Sequence, residues 1–162
     1  MAINKPKLPP KIGYVEKENA ETGNRYYEKV TTLSGYSTET ITISKSEKFT
    51  IPKSKDQLFQ IELIGGGASY DGFKNGSNGK IEAKELALNE GEEVYISIGQ
   101  AGKDGSNGGT TSFGEYFSAI GGSSELDSSA ESINDIYGKG GTEDNSATDG
   151  VCIVTYLAPV YL

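Results

Sequence analysis

The sequence predicts an all-β protein: a β-sandwich or jelly-roll-like domain with glycine-rich connections, preceded by a small N-terminal hairpin. Three observations predict it. Apolar and polar residues alternate with the strand period in short runs at fairly regular spacing. Glycine supplies 22 of the 162 residues, and 19 of those fall between Gly65 and Gly150, where they separate the runs. No segment sustains a helical apolar period.

Residues 1–10 hold three prolines and two lysines and read as an extended arm, since proline brings no donor to a ladder. Residues 11–18 and 25–30, rich in Tyr, Val and Ile, form two strands around the turn Ala20-Glu-Thr-Gly-Asn24. A lone hairpin is marginal in water, so this one needs a surface to pack on. Residues 31–37 read as a linker, giving residues 1–38 for attachment and 39–162 for a glycine-rich β domain.

From Glu39 the alternation is regular. Ile41 and Ile43 oppose Thr40 and Thr42, and Phe49-Thr-Ile-Pro52 is a short strand stopped by proline. Residues 57–64 place Phe59, Ile61 and Leu63 on one face. In 80–88, Ile81 and Ala83 begin inward and Leu86 and Leu88 take over, which predicts a bulge near Glu85. Residues 93–98 turn Val94, Ile96 and Ile98 inward, and short strands follow at 110–113 and 117–120. Residues 123–135 are polar and acidic and read as a surface loop or one helical turn. Val151-Cys-Ile-Val-Thr-Tyr156 is apolar on both faces, as a central strand requires.

The stretch Gly99-Gln-Ala-Gly-Lys-Asp-Gly-Ser-Asn-Gly-Gly109 has a period of its own. Glycine recurs at 99, 102, 105 and 108, with Gly109 doubling the last. Three is the period of the extended left-handed polyproline-II-type helix, whose glycine edge lets other backbones approach. Gly65, Gly66, Gly67, Gly121, Gly122, Gly140 and Gly141 mark runs that would supply those neighbours. The spacing leaves two arrangements open, packed glycine helices or flexible glycine loops.

Composition excludes several function classes. The net charge is −8, unevenly spread: residues 1–55 carry 10 Lys/Arg against 6 Asp/Glu, and residues 56–162 carry 5 against 17. An acidic body argues against nucleic-acid binding and against an anionic membrane surface. It leaves cations or a basic partner. There is no histidine, which removes the usual general base and the His-dependent triads. With Cys152 as the single cysteine, neither an intramolecular disulfide nor a zinc site is expected. Glu143, Asp144, Asn145 and Asp149 match no calcium-loop spacing and read as a solvated loop. Carboxylate pairs for hydrolysis are conceivable, but a non-enzymatic protein without cofactor is the expectation. The first residues show no apolar h-region, and no stretch reaches the ~18 apolar residues of a membrane span.

The aromatic side chains mark the candidate ligand-binding positions. Tyr70, Phe73, Tyr116 and Tyr137 sit in or beside glycine-rich connections, where they either contact a ligand or cap the glycine layer by packing on bare backbone.

The order of pieces also carries a resemblance. Phe49-Thr-Ile-Pro52 leads to Ile61-Glu-Leu-Ile-Gly-Gly-Gly67, then Leu86-Ala-Leu-Asn-Glu-Gly-Glu-Glu-Val-Tyr-Ile-Ser-Ile-Gly99 and Gly108-Gly-Thr-Thr-Ser-Phe-Gly114. Ala119-Ile-Gly-Gly122 and Asp149-Gly-Val-Cys-Ile-Val-Thr-Tyr156 complete it. Over residues 49–156 this resembles the glycine-rich domain of bacteriophage tail-fibre and adhesin proteins and of prophage tail proteins. Strands alternate with glycine runs in that family, and some members pack the runs as polyglycine-II helices. The chain departs from it in being glycine-poorer and in its acidic segment 123–135. The resemblance implies a structural, receptor-binding component of a phage or phage-tail-like particle that binds a bacterial surface glycan or protein. The N-terminal region would attach to other tail or baseplate proteins, and a homotrimer is implied by analogy. Such a protein would be made in the bacterial cytoplasm and released by lysis as part of a virion. The alternative is a baseplate or capsid decoration protein without receptor binding.

Overall fold

In a computed structural model of the chain, residues 14–29, 33–124 and 136–162 are described. The arm at 1–10 and most of the acidic segment 123–135 lie outside them. The chain divides into two compact units. One draws on residues up to Ser37 together with Pro159–Leu162, and the other is Thr38–Ala158.

In the first unit, β1 (Tyr14–Glu18) and β2 (Arg25–Lys29) form an antiparallel hairpin. Its turn is held by Asn19, whose side-chain oxygen accepts from the Glu21 and Thr22 amides at 2.9 and 3.1 Å. Across the strands Arg25 reaches Glu16 at 3.4 Å. The proposed linker is partly strand, because β3 (Leu33–Ile43) starts at Leu33 and pairs with β10 (Val151–Tyr161). The final strand likewise runs five residues past Tyr156.

The second unit is built from two four-stranded sheets. One has the order β3-β10-β5-β6, with β5 at Leu58–Ile64 and β6 at Ile81–Ala87. The other has the order β4-β7-β8-β9, from β4 (Glu47–Thr50), β7 (Glu93–Ser97), β8 (Thr111–Phe113) and β9 (Phe117–Ala119). Their inner faces share one core, in which Phe59, Ile61, Leu63, Ile96, Phe113 and Val154 are each no more than 1 % exposed. Cys152 lies in that core, and burial pushes its thiol up to about 12.

Strand β6 corrects the predicted bulge. Its register with β5 is continuous from Leu58↔Ala87 to Ile64↔Ile81. Leu86, Lys84 and Glu82 therefore share the side of Phe59, Ile61 and Leu63, and Ile81 and Ala83 face the other way. The apparent phase change arises because β6 is an edge strand with charge on its inward side, a common defence against edge-to-edge pairing. Lys84 uses its length there, placing Nζ 5.5 Å from the centre of the Phe117 ring.

Six of these strands run directly into glycine at one end of the sandwich. Seven extended runs, at 65–69, 76–80, 99–102, 106–110, 120–123, 138–141 and 147–150, pack there as a bundle. Run 65–69 is the centre. Its amides donate to the three runs that return toward the sheets: Gly65 to Lys80, Gly66 to Gly109, Gly67 to Thr148, Ala68 to Ser77 and Ser69 to Ser106, at 2.9–3.0 Å. Its carbonyls accept from the three that lead away: Gly66 from Gly122, Gly67 from Gly102 and Ala68 from Gly141, at 2.8 Å. The outer runs bond in turn to one another. Gly108 donates to Gly122, Gly109 to Gln100, Gly150 to Gly99, Thr148 to Lys139, Gly76 to Gly141 and Lys80 to Ile120, which closes a ring of six around one.

That geometry explains the triple glycine. A three-residue turn surrounded on every side leaves no position with room for a side chain. A Cβ at Gly65, Gly66 or Gly67 would come within 3.0 Å of the backbone of Ile120, Gln100 or Lys139 respectively. Outer runs face neighbours on fewer sides and need glycine only there, as at Gly99, Gly102, Gly108, Gly121, Gly122 and Gly140. None of these has a positive φ, so the requirement is space and not backbone freedom.

The period-three stretch is thus two runs and a turn. The chain reverses at Asp104 (φ 51°) and Gly105 (φ 80°), with Ser106 donating to Lys103 at 3.0 Å. Gly105 packs against no other run, and its glycine serves the left-handed turn.

Gly67→Ala should cost at least about 3 kcal/mol, the upper end of overpacking penalties, in urea denaturation. Gly105→Ala should cost about 1–2 kcal/mol from the left-handed backbone alone, and Gly105→Asn less than that. A Gly67→Ala protein as stable as the Gly105 variants would show that the central run is not tightly enclosed. Thr111 is fully buried, and its hydroxyl oxygen accepts from the Gly99 amide at 2.9 Å. Thr111→Val leaves that amide unpaired and should lower stability by about 1–3 kcal/mol; an unchanged denaturation midpoint would mean that another acceptor replaces the hydroxyl.

Candidate binding surface

The free end of the bundle is made by the turns that join outgoing runs to returning ones. Three are described: 70–75, 103–105 and 142–146. Each is pinned by its own sequence. In the first, the Asp71 carboxylate accepts from the amides of Phe73 and Lys74 at 2.7 and 2.6 Å, and Gly72 supplies φ 95°. These amide bonds, from Lys74 above all, hold the Asp71 carboxyl below the usual carboxylate range. In the second, Ser106 Oγ accepts from Lys103 at 2.8 Å. In the third, Thr142 donates to the Asn145 carbonyl at 2.8 Å and its hydroxyl accepts from the Asn145 amide at 3.1 Å.

Between the turns lies a cleft of about 390 Å³ bordered by Ser69, Tyr70, Lys103, Asp104, Thr142 and Ser146. Its floor is the end of the central run. Tyr70 is half-buried there. Three residues on, Phe73 stands 93 % exposed at the top of the pinned 71–74 turn. The surface offers apolar contact, a ring for stacking, and charges of both signs around it.

The four aromatic positions singled out in the sequence do not converge. Tyr70 and Phe73 share this end. Tyr116 follows β8 at the opposite end of the sandwich, where its ring lies 5.9 Å from that of Phe113 and its hydroxyl donates to Glu92. That bond and partial burial raise its pKa. Tyr137 precedes Gly138, where a Cβ would press on Ile64 and Gly65, so it sits where the bundle meets the sheets.

Several residues that shape the bundle were not among the sequence candidates. Asn78 Oδ1 accepts from the Gly140 amide and Asn107 Oδ1 from Ser124, both at 2.8 Å. The two asparagines belong to two copies of Gly-Ser-Asn-Gly, at 76–79 and 105–108, and that repetition is the signal that marks them. Asp149 accepts from the Ala101 amide at 2.7 Å. Among the described residues, no group of three His, Cys, Asp or Glu is arranged to hold a metal ion.

Comparison with protein-family models, with curated proteins and with solved structures finds no match.

Because its folded pKa is depressed, Asp71 should hold the turn above the unfolded carboxyl value of 3.8 and release it as pH falls through the lower folded value. In an NMR titration the Phe73 and Lys74 amides should shift with an apparent pKa below 3.8. A midpoint at or above that value would show that the carboxylate does not accept from them in solution.

Proposed function

We propose that the protein is a structural and receptor-binding component of a phage or phage-tail-like particle, and that the free end of the glycine bundle is its receptor-contacting surface. Binding there is non-catalytic, to a bacterial surface glycan or protein. The observation that carries this reading is Phe73. A phenyl ring stands almost fully in solvent beside a cleft, on a turn whose backbone is already pinned, so little backbone ordering is left to pay when a partner arrives. Exposed rings of this kind are what interface anchors are made of.

The bundle suits the task. Its backbone is tied to neighbours in every direction, so the turns can vary in sequence on a fixed support. The particle assignment rests on the resemblance of residues 49–156 to tail-fibre glycine-rich domains. On this reading the N-terminal segment attaches the domain to its assembly, as a homotrimer.

Purified protein should bind whole cells of a susceptible bacterium saturably. Phe73→Ala and Tyr70→Ala should reduce that binding without shifting the melting temperature. Tyr116→Ala and Tyr137→Ala should leave it intact, because both lie away from this surface. Loss of binding on Tyr116→Ala alone would move the receptor site to the other end of the sandwich. Absence of binding across a broad panel of hosts would favour a decoration or baseplate role.

A further inference from the structure

A second cleft, of about 530 Å³, lies at the end of the sandwich away from the bundle, beside the β8–β9 turn. Its lining includes Tyr95, Tyr116, Glu92, Glu93 and Glu115, with Gly114 and Val94 beneath, and contains no basic residue. Tyr95 is 59 % and Tyr116 43 % exposed, so two phenol rings face solvent within one concavity. Tyr116 is fixed in place by its hydrogen bond to Glu92 and by Phe113 behind it. Glu93 pairs with Lys48 at 3.6 Å across the β4–β7 ladder, a contact exposed on both sides and readily exchanged.

Tyrosine rings set in a groove with carboxylates alongside match the chemistry of a proline-rich segment flanked by lysines. Such a segment is already extended, so little ordering is lost on docking; its proline rings pack between aromatic rings, and its ammonium groups meet the carboxylates. The chain carries that segment itself. Residues 5–11 read Lys5-Pro6-Lys7-Leu8-Pro9-Pro10-Lys11, with Pro6 and Pro9 three apart and a lysine at each end. The charge balance agrees, because the basic front of the chain is the complement of its acidic body.

We infer that the Tyr95–Tyr116 cleft receives residues 5–11 of a second copy of this chain. The contact is heterologous, joining the front of one copy to the domain of the next, and closes a ring where the rotation allows. It rests on the reading of the N-terminal segment as an attachment arm and is independent of the receptor reading of the bundle tip.

The test uses the full-length protein and a fluorescently labelled peptide of residues 3–13. Anisotropy should show saturable binding that weakens as salt is raised, since the lysine–carboxylate pairs are exposed. Tyr95→Ala and Glu115→Gln should each weaken it at least about tenfold. Both side chains are at the surface, so unchanged melting temperatures will accompany the loss. Sedimentation velocity should show concentration-dependent self-association that is lost when Lys5, Lys7 and Lys11 are changed to Glu and retained in Phe73→Ala. Peptide that fails to bind, that binds Tyr95→Ala as well as wild type, or a chain that stays monomeric at every concentration would overturn the inference. None of those results would bear on cell binding by the tip.

Discussion

An extended helix of the polyproline-II type makes no hydrogen bond to itself, and that shortfall governs this structure. Every amide and carbonyl in such a run must find its partner on another chain segment or in water. Inside a bundle only other backbones are available, and they come close enough only where no Cβ intervenes. In the central run 65–69 all five amides donate to three returning runs, and the carbonyls of Gly66, Gly67 and Ala68 accept from three outgoing ones. At the margin, where a neighbouring run is missing, Ser, Thr, Asn and Asp side chains accept instead: Asn78 for Gly140, Thr148 for Lys139, Ser77 for Ser123 and Asp149 for Ala101.

Backbone hydrogen bonds contribute modestly each, about 0.5–1.5 kcal/mol net, so a glycine bundle without an apolar core has little to oppose the high chain entropy of glycine. The sandwich supplies the missing term. Each of β5 to β10 joins a glycine run at the same end, so the buried core of the two sheets fixes where the runs begin. Thr111 marks the junction, a buried polar side chain whose hydroxyl oxygen accepts from Gly99 where the sheet pattern has ended.

The two ends of the second unit are built differently. Turns at the bundle's free end project side chains from packed backbone runs, and Phe73, almost fully exposed, is the extreme case. The other end carries the tyrosine–glutamate cleft and a less relaxed connection, in which Asp56 and Gln57 both adopt positive φ ahead of β5.

Strand period is a local property, and alternation in the sequence determined it: Phe59, Ile61, Leu63, Val94 and Ile96 are inward as their spacing required. The glycines at 65–67, 99, 102, 108, 121, 122, 140 and 141 stood out in the sequence, but their spacing left packed helices and flexible loops open. Only the close backbone approach in the folded chain makes glycine a requirement there. The sequence alone did not decide which run is central, because all glycine backbones present the same donors and acceptors. The period-three stretch has the most regular glycine spacing, yet Asp104 and Gly105 turn it into two outer runs, and the enclosed position falls to the triple glycine. Nor did local pattern separate Tyr116 and Tyr137 from Tyr70 and Phe73. All four stand beside glycines, but which end of the sandwich a turn occupies depends on strand direction and pairing, and those exist only in the folded chain.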